Sequence, residues 1–314
     1  MMVKVLVLAG GLSHEREVSL HSGQRVANAL RDAGCEVRIS DVDSSMLTTI
    51  RDERPDVVWP VLHGSSGEDG SLRDVLDLVG VPYVGSTSAA CRRAFDKPVA
   101  NAEVAAAGIS VPEFYALPHS VFRDLGASEV LARVVHRMGL PLVVKPTRGG
   151  SSLGVVKVGT ATDLPQAMVG CFAYDDVAMI QRAVSGVEVA VSVLDTGAGP
   201  QALPPVEIVP DLGGYDFEAR YTPGETEFFC PARLDEQLIA QLASMAVLVH
   251  TVLGLRDLSR TDVIVDTSTG TLWFLEVNVA PGMTETSLLP QSVSADGREL
   301  PATYRALVDA ALAR

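Results

Sequence analysis

The chain has 314 residues, 47% of them hydrophobic and 20% charged. It is too long and too apolar for a disordered tail, and long enough for two or three packed domains. Lys and Arg number 25 against 39 Asp and Glu, a formal net charge of −14, and a field of that sign repels nucleic acid and anionic lipid while leaving room for a local basic pocket.

Taken in chain order, residues 3–9 read as a buried strand, 18–33 as a helix closed by Gly34, 36–41 and 56–62 as further strands, and 72–79 as a helix stopped by Gly80. The first apolar run is only strand length and is followed at once by His14, Glu15, Arg16 and Glu17, which does not suit a signal peptide. Strands separated by helices imply a parallel sheet with helices on both faces, and ligands on such sheets sit beyond the carboxyl ends of the strands. Two loops fall there, 10–15 and 63–70. A second unit begins near Lys97, with a helix over 98–107 and helical pattern over 121–137. A strand at 141–145 then runs into the loop 146–154, followed by a strand at 155–158, a helix over 164–172 and a strand at 177–183. The third unit has a strand at 187–195, an irregular stretch at 211–231 and a long helix over 235–253. Strands at 261–266 and 271–277 close it, joined at Ser268, Thr269 and Gly270. No apolar stretch reaches the ~18 residues of a membrane span. The 4 cysteines are scattered without a CxxC pair, a usage that suits a reducing cytoplasm better than a disulfide scaffold or a zinc site. The expectation is a soluble, cytoplasmic protein.

Two constellations carry chemistry. In the loop from Lys145 to Gly154, glycines and small hydroxyl residues directly after a strand let backbone N–H groups approach a phosphate. It is not a P-loop, because the lysine precedes the glycines; an ordinary flexible hairpin is the bland alternative, weakened by Lys145 and Lys97. The second is Arg260 and Asp262 on one strand with Glu276 and Asn278 on the next. Alternation puts each pair on one face, and hard oxygen ligands beside a phosphate favour Mg²⁺ over Zn²⁺. A solvated sheet face is the competing explanation, less attractive because Pro281–Thr284 forms a turn aiming Ser287 back at the same place.

With these residues in view, the chain resembles the D-alanine–D-alanine ligases of the ATP-grasp superfamily. The matching segments are 15–19, 63–70, Asp96 with Lys97, 145–154, 215–221, 225–232, Arg260 with Asp262, Glu276 with Asn278, and 281–288. The resemblance implies an α/β ATP-grasp fold: a Rossmann-like domain at 1–96, a small central domain at 97–186 and an antiparallel-sheet catalytic domain at 187–314. It implies that Lys97 and Lys145 neutralise ATP phosphates, with Ser151, Ser152 and Arg220 beside them, that Gln181 and Val184 meet the base, and that Glu188 holds the ribose. Asp262, Glu276 and Asn278 would bind two Mg²⁺ ions, with Mn²⁺ an alternative and K⁺ a candidate monovalent cation. Glu15 would bind the first D-alanine ammonium, Ser151 and Tyr221 would link to Glu15 and close the lid, and Arg260 and the Gly282 N–H would stabilise the oxyanion. His63, Tyr215, Ser287 and Leu288 complete the substrate set, and the partners implied are D-alanine, ATP and a second copy of the chain, through the N-terminal unit.

The reaction implied activates one D-alanine as an acyl phosphate, attacked by the amine of the second, for peptidoglycan precursors. Glu15 as a helix cap and His63 as a structural histidine are the bland readings of single residues. The chain departs from the family's pattern at Gln181 (usually glutamate), Ala183 (usually bulkier), Arg220 (usually lysine), Arg73 and Asp74, Thr261 and Val279. A paralogue making another D-amino-acid dipeptide or antibiotic building block, and a silent nucleotide-binding protein, are the competing functions.

Overall fold

Strand β1 (Lys4–Leu8) is apolar on both faces, and the structure, a computed structural model describing residues 2–210 and 226–314, covers both. β1 lies between β2 (Glu36–Ser40) and β3 (Val57–Pro60) and is parallel to each. Val5 and Val7 pack with Val26, Ala27 and Leu30 of α1 (Arg16–Asp32). Leu6 and Leu8 look the other way, onto Met46 and Ile50 of α2 (Met46–Glu53) and Leu72 and Leu76 of α4 (Ser71–Val79). Between the last strand and α4 the chain makes a single turn, α3 (Ser65–Glu68).

Helices α5 (Ser88–Phe95) and α6 (Lys97–Ala106) follow, hinged at Asp96, whose side chain accepts the N–H of Val99 and caps α6. The central sheet is antiparallel in the order β4 (Phe114–Pro118), β7 (Val177–Arg182), β5 (Leu142–Pro146), β6 (Val156–Val158). One face rests on α7 (His119–Leu125), α8 (Ala127–Met138) and α9 (Leu164–Cys171). The single helix expected over 121–137 is two, because Gly126 takes φ 86° and turns the chain between them.

The third sheet runs β11 (Thr226–Phe229), β10 (Val206–Pro210), β8 (Val187–Leu194), β12 (Leu258–Asp266), β13 (Thr271–Asn278), with β9 (Gln201–Ala202) also on β8. Residues 226–229, expected to be irregular, are thus an edge strand paired with β10. Val189, Val191, Val193, Val263 and Phe274 face α10 (Glu236–Val252) together with α5 and α6. Helix α6, assigned by the sequence to the central unit, therefore packs under the third sheet. The chain ends in α11 (Leu288–Ala295) and α12 (Leu300–Leu312). Tyr304 of α12 sets its ring edge-on to Trp59 of β3 at 5.3 Å, and Leu307 and Val308 join the core of the first sheet. Packing thus crosses the sequence boundaries and carries the segment 279–287 over the carboxyl end of the first sheet. Among the described residues no helix is long and apolar enough to cross a membrane.

Candidate active site

A hairpin with turn partners Asp266 and Thr271, continued in plain register, would set Asp262 opposite Leu275 and turn Glu276 to the other face. A β-bulge between Asp262 and Val263 changes this: Val263 pairs with Phe274, but Asp262 pairs with Glu276 and Arg260 with Asn278. One extra residue, Leu275, brings the acids side by side on the face away from the α10 core. Asn101 of α6 supports the bulge by donating to the Leu275 carbonyl at 3.4 Å. This face is only partly solvated: Glu276 and Asn278 are half-buried, whereas Arg260 and Asp262 are both buried, and the guanidinium spans both carboxylate oxygens at 2.7 and 2.8 Å. Asn278 turns its side-chain oxygen to the N–H of Ala280 at 2.8 Å.

Lys97, at the first turn of α6, donates to the Gly149 carbonyl at 2.7 Å and lies 3.3 Å from a Glu276 carboxylate oxygen. Lys145 is buried on β5, and burial pushes its ammonium down to about 8, against the pull of Glu276 and with the push of Lys97. The loop between β5 and β6 is tied at several points. Arg148 pairs with Asp96 at 2.9 Å, Thr147 bonds Asp175 at 2.6 Å, and the Ser151 hydroxyl donates to Glu15. Ser151 and Ser152 take φ 50° and 58°, left-handed values that cost a non-glycine residue about 1–2 kcal/mol each and persist where the surroundings fix them.

Glu15 does not cap α1, since its side chain makes no capping hydrogen bond; its carboxylate instead meets the loop from the central sheet. Gly64 lies beneath it at φ +71°, a backbone value that favours glycine, and a Cβ there would stand 2.8 Å from a Glu15 oxygen. His63 donates from Nδ1 to the Ala280 carbonyl at 2.9 Å and presents Nε2 to Ser22 Oγ at 3.4 Å. Burial holds its pKa below the ordinary value, Arg260 adding to this while Glu15 and the Ala280 carbonyl oppose it. Ser22 Oγ accepts the Met283 N–H at 3.2 Å, and Arg25 donates to the Met283 carbonyl at 3.2 Å. Glu68 is buried, accepts the Gly64 N–H at 2.9 Å, and has its carboxyl pushed up to about 8 by burial and by Glu15.

Two adjacent cavities result. The inner one is lined by Glu15, His63, Lys97, Ser151, Arg260, Glu276, Asn278, Gly282, Ser287 and Leu288. The outer one, about 290 Å³, is lined by Lys97, Lys145, Ser152, Gln181, Val184, Glu188, Asp262 and Glu276. Lys97 and Glu276 border both, so a ligand filling the outer cavity meets one filling the inner cavity beside the lysine and the acids. Asp262, Glu276 and Asn278 put hard oxygen donors, the type a divalent ion of the magnesium class takes, on one cross-strand patch, where Arg260 holds both Asp262 oxygens and Lys97 stands beside Glu276. Tyr215, Arg220 and Tyr221 lie outside the described residues.

Several contributors have no role assigned to them by the sequence. Ser22 carries a signal in retrospect, a hydroxyl seven positions after Glu15 on the buried face of α1. Thr284 and Thr286 line the inner cavity, and the Ser287 hydroxyl accepts the Thr284 N–H at 2.9 Å. Arg73, on the apolar stripe of α4, is 1% exposed and donates to the Gly67 carbonyl, bracing the 63–70 loop.

Comparison with known proteins bears on this geometry. The family models described as D-ala D-ala ligase N-terminus and C-terminus match residues 43–86 and 104–310. The D-alanine–D-alanine ligase of Moorella thermoacetica is 37% identical over 310 residues, 99% of each chain. That of Bordetella petrii is 38% identical over 94% of this chain and 87% of its own. Among solved structures, the VanG D-Ala:D-Ser ligase from Enterococcus faecalis superposes with a TM-score of 0.85 at 26% identity, covering 99% of this chain and 100% of that one. The D-alanine–D-alanine ligase of Bacillus anthracis complexed with ATP gives 0.83 at 26% identity, covering 99% and 98%.

Proposed function

The chain belongs to the D-alanine–D-alanine ligase family, and on that premise we propose how its residues divide the work of the family's reaction. It is an ATP-dependent ligase that joins two D-alanine molecules, and family membership places the product in peptidoglycan precursor synthesis. The first D-alanine carboxylate attacks the γ-phosphorus of ATP, ADP departs, and an acyl phosphate forms. The amine of the second D-alanine then attacks the acyl carbon, loses a proton, and inorganic phosphate leaves with one original carboxylate oxygen.

The outer cavity is the proposed nucleotide site. Lys97 and Lys145 face the phosphates with Ser151, Ser152 and Arg220, Glu188 meets the ribose, and Gln181 and Val184 meet the base. Asp262, Glu276 and Asn278 are the proposed ligands of two Mg²⁺ ions, with Mn²⁺ as substitute and K⁺ as a monovalent companion. Divalent ions there supply charge neutralisation and alignment of the phosphates. Arg260, released from Asp262, faces the transferring phosphoryl group and later the tetrahedral oxyanion, to which Gly282 offers its N–H. The hydrogen bonds that hold Met283 to α1 fix that N–H in place.

In the inner cavity Glu15 receives the first ammonium, and His63, Tyr215, Ser287 and Leu288 hold the second D-alanine. Ser151 and Tyr221 link to Glu15 as the lid closes, excluding water that would hydrolyse the acyl phosphate. The boundaries 1–96, 97–186 and 187–314, a homodimer through the first unit, and a cytoplasmic location where ATP is at hand belong to the same reading. The observation that carries it is the bulge at Leu275, which aligns Asp262 with Glu276 between the two cavities. Detection of dipeptide from D-alanine, ATP and Mg²⁺ tests it. Glu276→Gln is expected to stay folded and lose most activity, and near-parental turnover would remove Glu276 from the metal site.

A further inference from the structure

Gln181 is 2% exposed, and its side-chain amide nitrogen is buried without a hydrogen-bond partner. It stands on β7 between Phe114 of β4 and Val143 of β5. Its neighbours Ala178 and Ile180 turn into the core beneath the central sheet, whereas Gln181, Val143 and Lys145 line the outer cavity. Across that cavity the third sheet contributes Ile264 and Leu275. A buried amide nitrogen left without a partner is costly unless something bound meets the side chain, and Val143 on one side with Ile264 and Leu275 on the other offer apolar contact to a flat aromatic base.

The chemistry of the amide decides what it can read. One end donates, the other accepts, and half a turn about the last side-chain bond exchanges them. A 6-amino purine presents a donor at the position where a 6-oxo purine presents an acceptor. Opposite position 6 a carboxylate could satisfy the first and would repel the second, whereas an amide can satisfy either; the 6-oxo form also turns N1 from acceptor to donor, and the same half turn of the amide lets its two ends match both positions. We propose that Gln181 makes the base pocket indifferent to this exchange, so that the enzyme takes 6-oxopurine nucleoside triphosphates as phosphoryl donors alongside ATP. The proposal rests on the reading of the outer cavity as the nucleotide site, and it assigns Gln181 the role of setting specificity there.

Calorimetric titration with ADP and with inosine diphosphate reads the pocket independently of turnover, and kcat/KM with ATP and inosine triphosphate reads it in the reaction. The parent protein is expected to treat the two bases within about tenfold of each other, and Gln181→Glu to raise the preference for adenine by at least about tenfold. Discrimination above that in the parent, or a ratio that Gln181→Glu leaves unchanged, overturns the proposal. If the buried carboxylate prevents folding, Gln181→Met serves instead: it keeps the volume, loses both polar ends, and is expected to weaken both diphosphates by a similar factor. A loss confined to one base overturns the proposal. Failure of the parent to bind either diphosphate refutes the nucleotide reading itself, whereas binding of ADP alone refutes only the inference about Gln181.

Discussion

The hydroxyl of Ser151 bridges two parts of the chain that meet only when the loop 146–154 lies over the inner cavity, donating to Glu15 beyond the carboxyl end of β1. Ser151→Ala removes that donor without changing the backbone strain, since Ala and Ser pay the same steric cost at φ 50°. A hydrogen bond to a charged group contributes about 1.5–3 kcal/mol, so the closed state should lose about 10- to 150-fold in population relative to the open one. With the loop open, water competes with the second amine for the acyl phosphate. Measured side by side, phosphate release should therefore exceed dipeptide formation in Ser151→Ala, and KM for D-alanine should rise. Ser151→Gly, which also loses the hydroxyl but relieves the backbone, is expected to uncouple in the same way. Equal yields of phosphate and dipeptide in Ser151→Ala, with KM unchanged, would refute the assignment of the lid contact.

Gly282→Ala would place a Cβ 2.6 Å from Ser287 Oγ, displacing the hydroxyl that accepts the Thr284 N–H. A shift of this kind at reacting geometry is expected to cost about 100-fold in kcat, with a small change in Tm; unchanged kcat would detach Gly282 from the chemistry. Glu68, whose carboxyl is pushed up to about 8, keeps its proton on folding while the unfolded chain loses it at ordinary carboxylate pH. Its contribution is therefore fully present at low pH and is lost as pH rises through about 8. The Tm of Glu68→Gln relative to the parent should accordingly climb from acid to mildly alkaline pH and then level off. A difference that stays flat across that window would contradict a buried, protonated Glu68.

The parallel sheet was legible because its strands are short continuous apolar runs that end in polar, glycine-rich loops, at 10–15 and at 63–70. The pairing of Arg260 with Asn278 and of Asp262 with Glu276 was only half legible. Alternation within each strand is a local property, but the bulge at Leu275 that places the acids on one face depends on packing against α6. The final helices were not read as elements; what fixes their place is long-range burial, with Tyr304 against Trp59 and Leu307 in the first core. Ser22 looked like an ordinary helix serine until Met283 was brought to it across 261 residues of chain. Arg73 registered as a departure in sequence, yet its work is structural, since a buried guanidinium can brace the Gly67 carbonyl without touching a ligand.

Every step of the proposed reaction depends on activation of the D-alanine carboxylate by phosphoryl transfer. Supplying D-alanine whose carboxylate is labelled with heavy oxygen, and analysing the phosphate released during dipeptide synthesis by mass spectrometry, tests that transfer directly. One labelled oxygen is expected in each phosphate, carried over when the amine displaces it from the acyl carbon. Dipeptide formed with unlabelled phosphate would contradict it.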